Sequence, residues 1–438
     1  MADDAKKSTY MLDMFAQAVT SCMDTKPEKT RFWLTSAFRA KRFQTRHFPD
    51  KNSPKSAQMA FQVALETVTA AMECPNQSVL TNVFLPSEIF LSMQIRPVIA
   101  EAIACFIEGA RAEDAFVKAA ELKGVSPTFC SYHKVLMGSA LSDVMEPARL
   151  IANSSLACDV NNITFKTLAE KWSVPHVYID VPYSINDDSI HYVADQFRYL
   201  SETTQDLFDK SLDLEVLKAH VARSQQTLVN LDRSLAMRSE RDYKMSMIDL
   251  FSNLLPMHLS LGDETTLAIS KQIIEELSVA PKTDKLSLLW VHVTPWGSVA
   301  LQNTLDENPD VQLLASEMVF DTIQPEGFSY TADKPFEAMA ERLLKNSFNG
   351  PADRRIQRIK YIAETIHADG IVVFCHWGCK ETLGAAQLMK TQLESDGFPT
   401  LILDGDACHR KNMSQGQAGT RTEAYIEMLL QHKGDLYE

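Results

Sequence analysis

The sequence feature that most constrains the fold is an apolar run at residues 371–374 that leads into a turn rich in reactive side chains. The apolar run predicts a short buried strand. The turn at residues 375–380 carries two thiols, an imidazole and a glycine. Residues 381–396 then have helical character, and Gly397 is placed to end that helix. In open α/β sheets, this order of strand, turn and helix places functional residues at the carboxyl end of the strand. The helix N-terminus there would stabilise a thiolate or an anionic cluster.

Short apolar runs of this kind recur along the chain and alternate with helical patterns. We predict strands at these runs, which lie at residues 125–130, 154–159, 174–180, 286–293, 311–319, 370–374 and 400–403. Such alternation predicts parallel sheets with crossover helices. Residues before 125, and those between 187 and 280, instead show the apolar spacing of longer helices.

These patterns predict an α/β fold with two small parallel-sheet domains of the Rossmann or flavodoxin type. A chain of 438 residues is too long for one core, so two or three domains are expected. We predict a helical N-terminal region, a first α/β domain, a helical connection and a C-terminal α/β domain. Their boundaries are placed at residues 1–124, 125–200, 201–285 and 286–438.

The charge of the chain limits its partners. The formal net charge is −14, which argues against a general nucleic-acid binder. Two basic segments, at residues 39–47 and 354–360, are expected to be solvated faces or to contact phosphates or an acidic partner. No apolar run approaches the ~20 residues of a membrane span. The first residues lack a signal-peptide core, so we expect a cytoplasmic protein without membrane contact.

Several cysteines of the chain directly follow predicted strands. The chain has eight cysteines, and a cytoplasmic location favours reduced thiols, with metal or redox use possible. Cys130, Cys158 and the pair Cys375 and Cys379 each follow a predicted strand. Because the carboxyl ends of parallel strands lie along one edge, these thiols could meet in a cleft between the two α/β domains. Three thiolates would leave one iron of a cubane cluster open.

The residues alone leave other interpretations open. Each cysteine taken singly is more often a buried, inert thiol. Cys375, Cys379, Cys408 and His409 together offer the soft ligands of a structural zinc site. The histidine and tryptophan between Cys375 and Cys379 either pack the turn or line the site. The sequence contains no glycine-rich nucleotide-binding loop and no standard hydrolase motif, so nothing supports ATP hydrolysis by this chain. No catalytic acid or base is identified.

The C-terminal motifs resemble those of the 2-hydroxyacyl-CoA dehydratase family. The resemblance is carried by Cys-His-Trp-Gly-Cys-Lys at residues 375–380, by Gly405-Asp406, and by Gly-Gln-Ala-Gly-Thr-Arg-Thr-Glu-Ala-Tyr at residues 416–425. Upstream, the segments at residues 129–132 and 157–161 are similar to the two N-terminal cysteine motifs of the family. The resemblance covers the chain from about residue 125 to its end.

The resemblance implies a [4Fe-4S] cluster held by Cys130, Cys158 and Cys379, with Cys375 as the competitor for the third position. It implies a heterodimer of two related subunits and a separate ATP-dependent iron–sulfur activator that supplies one electron. The implied reaction is that of a hydro-lyase in anaerobic metabolism. A 2-hydroxyacyl-CoA loses water through a ketyl radical and becomes a 2-enoyl-CoA.

The same resemblance leaves alternatives. The superfamily also includes benzoyl-CoA reductase subunits, so the chain could be an electron-relay or reductase component that acts on an aromatic acyl-CoA or another small molecule. A third interpretation is a non-enzymatic two-domain α/β binding module with a structural zinc.

Overall fold

The computed structural model describes residues 2–435. Three helices open the chain: α1 (Ala2–Cys22), α2 (Pro27–His47) and α3 (Lys55–Glu73). In α3 the buried residues Ala57, Ala60, Ala64 and Val68 recur at helical spacing, so this helix presents one apolar face to the core.

A first parallel sheet of four strands follows. Its strands are β1 (Ser78–Thr81), β2 (Arg96–Ile99), β3 (Leu150–Ser154) and β4 (His176–Ile179). The spatial order is β2-β1-β3-β4. Parallel neighbours need crossover connections, and these contain α4 (Glu88–Ser92), α5 (Ala100–Gly109), α6 (Glu113–Leu122), α7 (Ser131–Leu141) and α8 (Asp159–Trp172).

Four helices connect the two sheets. They are α9 (Asp187–Phe208), α10 (Leu214–Arg238), α11 (Met247–Leu259) and α12 (Glu264–Val279). Their starts are set by polar side chains. Asn186 caps α9, and Ser246 forms a capping box with Asp249 at the start of α11. Among the helices of residues 2–435, none is long and apolar enough to cross a membrane.

The second sheet repeats the topology of the first. Its strands are β5 (Leu286–Val291), β6 (Val311–Ser316), β7 (Gly370–His376) and β8 (Thr400–Gly405), in the order β6-β5-β7-β8. The helices around it are α13 (Val299–Leu301), α14 (Pro335–Leu344), α15 (Ala352–Thr365), α16 (Lys380–Leu383), α17 (Ala386–Ser395) and α18 (Gln415–Asp435). Both sheets therefore have the first four strands of the flavodoxin-like order.

The core lies along the central strands. Every residue of β5 and β7 is buried, as expected for parallel strands covered on both faces. A buried ion pair joins the two halves. Arg342 of α14 donates two hydrogen bonds to Glu88 of α4, at 2.5 and 2.8 Å, and Ser224 of α10 donates to the same carboxylate.

The predicted fold class is confirmed: the chain is α/β, with two four-stranded parallel sheets and helical regions. The strand predicted at residues 125–130 is wrong, because this segment is a turn that leads into α7. Pro127 cannot donate to a ladder, which is consistent with that outcome. The strand predicted at residues 154–159 lies earlier, at β3, and its last residues form a loop.

Two strands of the first sheet were missed. β1 and β2 lie before residue 125, in the region predicted to be helical, and both belong to the sheet that contains β3. The domain boundaries remain a prediction, but residues 78–99 belong structurally with the first sheet.

Candidate metal centre

The topological switch points of the two sheets lie around one site. In each sheet the strand order reverses beside the first strand, between β1 and β3 and between β5 and β7. Ligands of open α/β sheets bind in the crevice outside the strand ends at that position. The residues after β1, β3, β5 and β7 line a common cavity in this chain, represented by Phe84, Cys158, Val293 and Cys379.

Four cysteines line this cavity: Cys105, Cys130, Cys158 and Cys379. Cys105 is buried inside α5, whereas the other three stand at the N-cap positions of α7, α8 and α16 respectively. Backbone N–H groups and the helix dipole favour negative charge at such positions, although α16 has only one turn and contributes less. Cys375 lies inside β7, is 1% exposed and does not line the cavity.

The backbone turns sharply before two of these cysteines. Ala157 has a φ of +67° and Gly378 a φ of +82°, so both lie in the left-handed region that only glycine adopts without strain. Gly378 is also in close contact with the other half of the molecule. A Cβ on Gly378 would lie 2.7 Å from the Cα of Cys130, so only glycine allows the two thiol-bearing segments to approach this closely.

Burial, with a smaller effect of the neighbouring thiols, raises the pKa of Cys130 and Cys158. Burial, followed by the neighbouring Cys158 and Cys379, raises the pKa of Cys130 well above its usual range. Burial also raises the pKa of Cys158 to about 12, against the opposing effect of the Asn161 backbone N–H. Closely placed thiolates are tolerated when they share a cation, because metal binding deprotonates coordinating thiols.

His376 donates a hydrogen bond to one of the sulfurs. The Ala407 backbone N–H donates to His376 Nδ1 at 3.1 Å, and burial lowers the pKa of this histidine. The ring is therefore neutral, with its proton on Nε2. Nε2 lies 3.3 Å from Cys130 Sγ, so the fixed tautomer directs an N–H group at that sulfur.

A second imidazole contacts Cys379. His292 lies directly after β5 with a φ of +77°, and its Nε2 is 3.5 Å from Cys379 Sγ. Its backbone N–H donates to Glu317 at 3.2 Å. Arg355 holds Glu317 through two hydrogen bonds, at 2.6 and 2.8 Å. Burial, with smaller effects of Arg355 and His376, lowers the pKa of His292 well below its usual range, so this ring is also neutral.

A carboxyl group faces the same cavity. Glu101, which lies just after β2, leaves its Oε2 without a hydrogen-bond partner in the part of the chain that the structure describes. Burial raises its pKa to about 7. Its Oε1 lies 3.9 Å from His133 Nε2, but burial lowers the pKa of His133 to about 3. The neighbouring ring is therefore uncharged and offers no ion pair.

A second cavity adjoins the first. The two share the wall formed by Ala157, Cys158, Gly378, Cys379, Glu381 and Phe348. They enclose about 1000 and 1120 Å³ of non-atom space, open mouths included. The rest of the second wall is polar and includes Asp159, Asp180 and Lys380. Cys158 and Cys379 therefore lie between an apolar and a polar compartment.

The structure separates the four residues of the alternative zinc site. Cys408 Sγ lies against the Ala104 carbonyl, and His409 Nε2 bonds to Asp114 at 3.1 Å. Neither lines the cavity with Cys379. Within residues 2–435, no group of three or more His, Cys, Asp or Glu side chains is positioned to hold a metal ion.

Sequence reasoning missed three residues of this site: Glu101, His292 and Arg355. Arg355 belongs to the basic segment that was expected to be a solvated face or to contact phosphates or an acidic partner. The solvated face is wrong for Arg355, which is 2% exposed and paired with Glu317 of the same chain. Its hydrogen-bond partners Glu317 and Thr382 lie 38 and 27 positions away in the sequence, so no local pattern could have shown the pairing.

The family model described as "2-hydroxyglutaryl-CoA dehydratase, D-component" matches residues 82–429. The chain belongs to this family. Lactoyl-CoA dehydratase subunit alpha of Anaerotignum propionicum is 22% identical over 380 residues, which span 78% of this chain and 88% of that relative. The (R)-2-hydroxyisocaproyl-CoA dehydratase alpha subunit of Clostridioides difficile is also 22% identical over 380 residues, which span 81% of this chain and 90% of that relative.

The donor set fits the [4Fe-4S] cluster that the sequence resemblance implied. Three thiols at helix N-cap positions line one cavity, and sulfur is the donor that such clusters take. Thiolates of a cubane bind different irons, so they need not converge on one point as the ligands of a single ion must. The neutral imidazoles beside Cys130 and Cys379 add outer contacts of the kind that tune such centres. The assignment of the three ligands remains a prediction.

Proposed function

We propose that this chain is the iron–sulfur subunit of a 2-hydroxyacyl-CoA dehydratase. It removes water from a 2-hydroxyacyl-CoA to give a 2-enoyl-CoA, through a ketyl radical formed after one-electron activation. One observation carries the proposal. In a member of this family, three thiols at helix starts in the two halves of the chain line one cavity at the switch points of both sheets.

Cys130, Cys158 and Cys379 would hold the [4Fe-4S] cluster. When bound, the cluster would supply single-electron transfer and Lewis acidity. His376 directs its Nε2–H at Cys130 Sγ, and the apolar walls keep water from the reacting atoms.

Glu101 is the residue that we propose for proton transfer. Dehydration removes hydroxide from C2 of the acyl group and a proton from C3. The free Oε2 of Glu101 faces the cavity, and a carboxyl with a pKa of about 7 exchanges protons efficiently near neutral pH.

The partners follow from the relatives. Both are named alpha subunits of dehydratases, and we infer that this chain likewise pairs with a related second subunit. We infer in addition a separate ATP-dependent iron–sulfur activator as the electron donor, as the resemblance to the family implies.

Anaerobic purification followed by metal analysis tests the cofactor. We expect iron and acid-labile sulfide near four per chain, as about four of each make a cubane. Cys379→Ser should lose most of the iron. Cys375→Ser should retain it, because Cys375 is buried in β7 outside the cavity. Cys74→Ser is the matched control away from the site. Stoichiometric zinc, or iron loss in Cys375→Ser alone, would contradict the assignment.

Turnover tests the reaction. With the second subunit and the activator present, a 2-hydroxyacyl-CoA should yield the 2-enoyl-CoA, detected by chromatography of the thioesters. A chain that holds the cluster but forms no enoyl-CoA from any hydroxyacyl chain would favour the reductase or relay alternative.

A further inference from the structure

The cavity at the cysteines has an apolar wall that the proposed ligands do not explain. Away from the shared wall, it is lined by apolar side chains of several elements: Val83, Phe84, Ile99, Leu250, Leu254 and Val293. Leu254 and Val293 each pack against both hydrophobic cores of the chain yet are only partly buried. The cavity is therefore apolar space left open between two cores.

The charges around this space exclude one kind of guest. Among the described residues that line the cavity, none is a lysine or an arginine. The carboxyl groups there are Glu101 and Glu381, and Glu101 already has an oxygen without a partner. A carboxylate on the ligand would be buried with no lysine or arginine to pair with and beside the Glu101 and Glu381 carboxyl groups, which is strongly unfavourable.

We propose that this cavity binds the carbon chain of the substrate, and that the chain is uncharged, apolar and larger than a methyl group. This inference rests on the proposed function. It assigns the acyl end of the thioester to the wall formed by Leu250, Leu254 and their neighbours on α11, together with Val293. A 2-hydroxyglutaryl group, with its terminal carboxylate, is excluded on the same grounds.

Binding measurements distinguish chain types directly. The probes are 2-hydroxyisocaproyl-CoA, lactoyl-CoA and 2-hydroxyglutaryl-CoA, titrated calorimetrically into the anaerobic chain after its cluster is reconstituted, with free CoA as the baseline. An extra methylene in an apolar pocket is worth about 10-fold or more. We therefore expect 2-hydroxyisocaproyl-CoA to bind at least about 10-fold more tightly than lactoyl-CoA, and 2-hydroxyglutaryl-CoA to bind no more tightly than free CoA.

A larger side chain in the cavity wall tests the same inference by mutation. Leu254→Phe should abolish the preference for the longer acyl chain, by weakening 2-hydroxyisocaproyl-CoA binding about 10-fold or more. Leu214→Phe, on an exposed leucine of α10, should leave all three affinities unchanged. Iron content and circular dichroism confirm that each variant is folded and loaded.

The outcomes separate the two proposals. Equal affinities for the three thioesters, or tightest binding of 2-hydroxyglutaryl-CoA, would overturn the inference about the acyl chain and leave the dehydratase proposal standing. Failure of all three to bind above the free-CoA baseline would refute the proposed function, and the inference with it. If Leu254→Phe does not fold, the comparison of the three probes on the wild-type chain still decides.

Discussion

The hydrogen bond from His376 to Cys130 gives the most direct test of the site. The substitution His376→Leu places an apolar side chain of similar size at this buried position and removes two contacts of the imidazole. One is the Nε2–H group that lies 3.3 Å from Cys130 Sγ. The other is the Nδ1 acceptor of the Ala407 N–H, at 3.1 Å.

The expected size follows from the two contacts. An unpaired buried N–H at Ala407 costs about 1–3 kcal/mol, so the metal-free variant should be less stable by that amount. In the loaded protein, the reduced cluster carries one more negative charge than the oxidised one and gains more from the donor. If this difference is about 1 kcal/mol, the reduction potential falls by about 40 mV, since a one-electron couple changes by about 59 mV for each 1.4 kcal/mol.

Two measurements check this expectation: chemical denaturation of the metal-free chain, and anaerobic potentiometric titration of the reconstituted cluster followed by electron paramagnetic resonance. His220→Leu is the matched control, because His220 is a buried histidine that bonds to the Gly262 carbonyl at 3.0 Å and does not line the cavity. It should lose stability without a change in potential. An unchanged or raised potential in His376→Leu would refute the donor role, whatever the stability of the variant.

Two further predictions concern the metal-free chain. Gly378→Ala should destabilise this chain by more than Gly397→Ala, because both glycines have positive φ but only Gly378 would bring a Cβ against Cys130. In urea denaturation we expect a loss of about 1 kcal/mol for Gly397→Ala, the control, and of at least about 2 kcal/mol for Gly378→Ala. Equal losses would mean that the segments of Gly378 and Cys130 are not in close contact. Burial raises the pKa of Glu101 from 4.5 to about 7, so between these values the folded state holds a proton that the unfolded state has released. Wild-type stability should therefore fall relative to Glu101→Gln as pH rises through this window, by up to about 3 kcal/mol, and parallel thermal denaturation curves from pH 5 to 8 would contradict a raised pKa.

Long, strongly apolar strands were predictable, and the two short strands β1 and β2 were not. β5 and β7 are six and seven residues long and wholly buried, so each appears in the sequence as a continuous apolar run. β1 and β2 have four residues each and lie among helices. Their pairing with β3 is set by long-range contacts that no local pattern shows. The cysteines that cap helices were found from their positions near strand ends, and this worked for Cys130 even though the strand predicted before it is a turn.

The residues that contact the cysteines could not be predicted, because they are far from the cysteines in the sequence. His292 meets Cys379 across 87 positions, and Cys130 meets His376 across 246. A histidine after a strand carries no sign in the sequence that a thiol from another element will approach it. Glu101 was hidden for the same reason, because an acidic residue in the first turn of a helix is ordinarily a favourable dipole contact. Only its burial beside the cavity distinguishes it.

The choice between Cys379 and Cys375 can now be argued from geometry as well as from resemblance. Successive side chains of a strand point to opposite faces. His376 is the last residue of β7 and reaches Cys130, so Cys375, its neighbour in the strand, points to the other face of the sheet, and its pKa is raised by burial and by Asp404. Cys379 follows the left-handed Gly378, beyond the strand, where the backbone is free of that alternation. A thiol at position 375 could reach the cavity only if β7 shifted by one residue, which would turn its whole buried set of side chains to the opposite face.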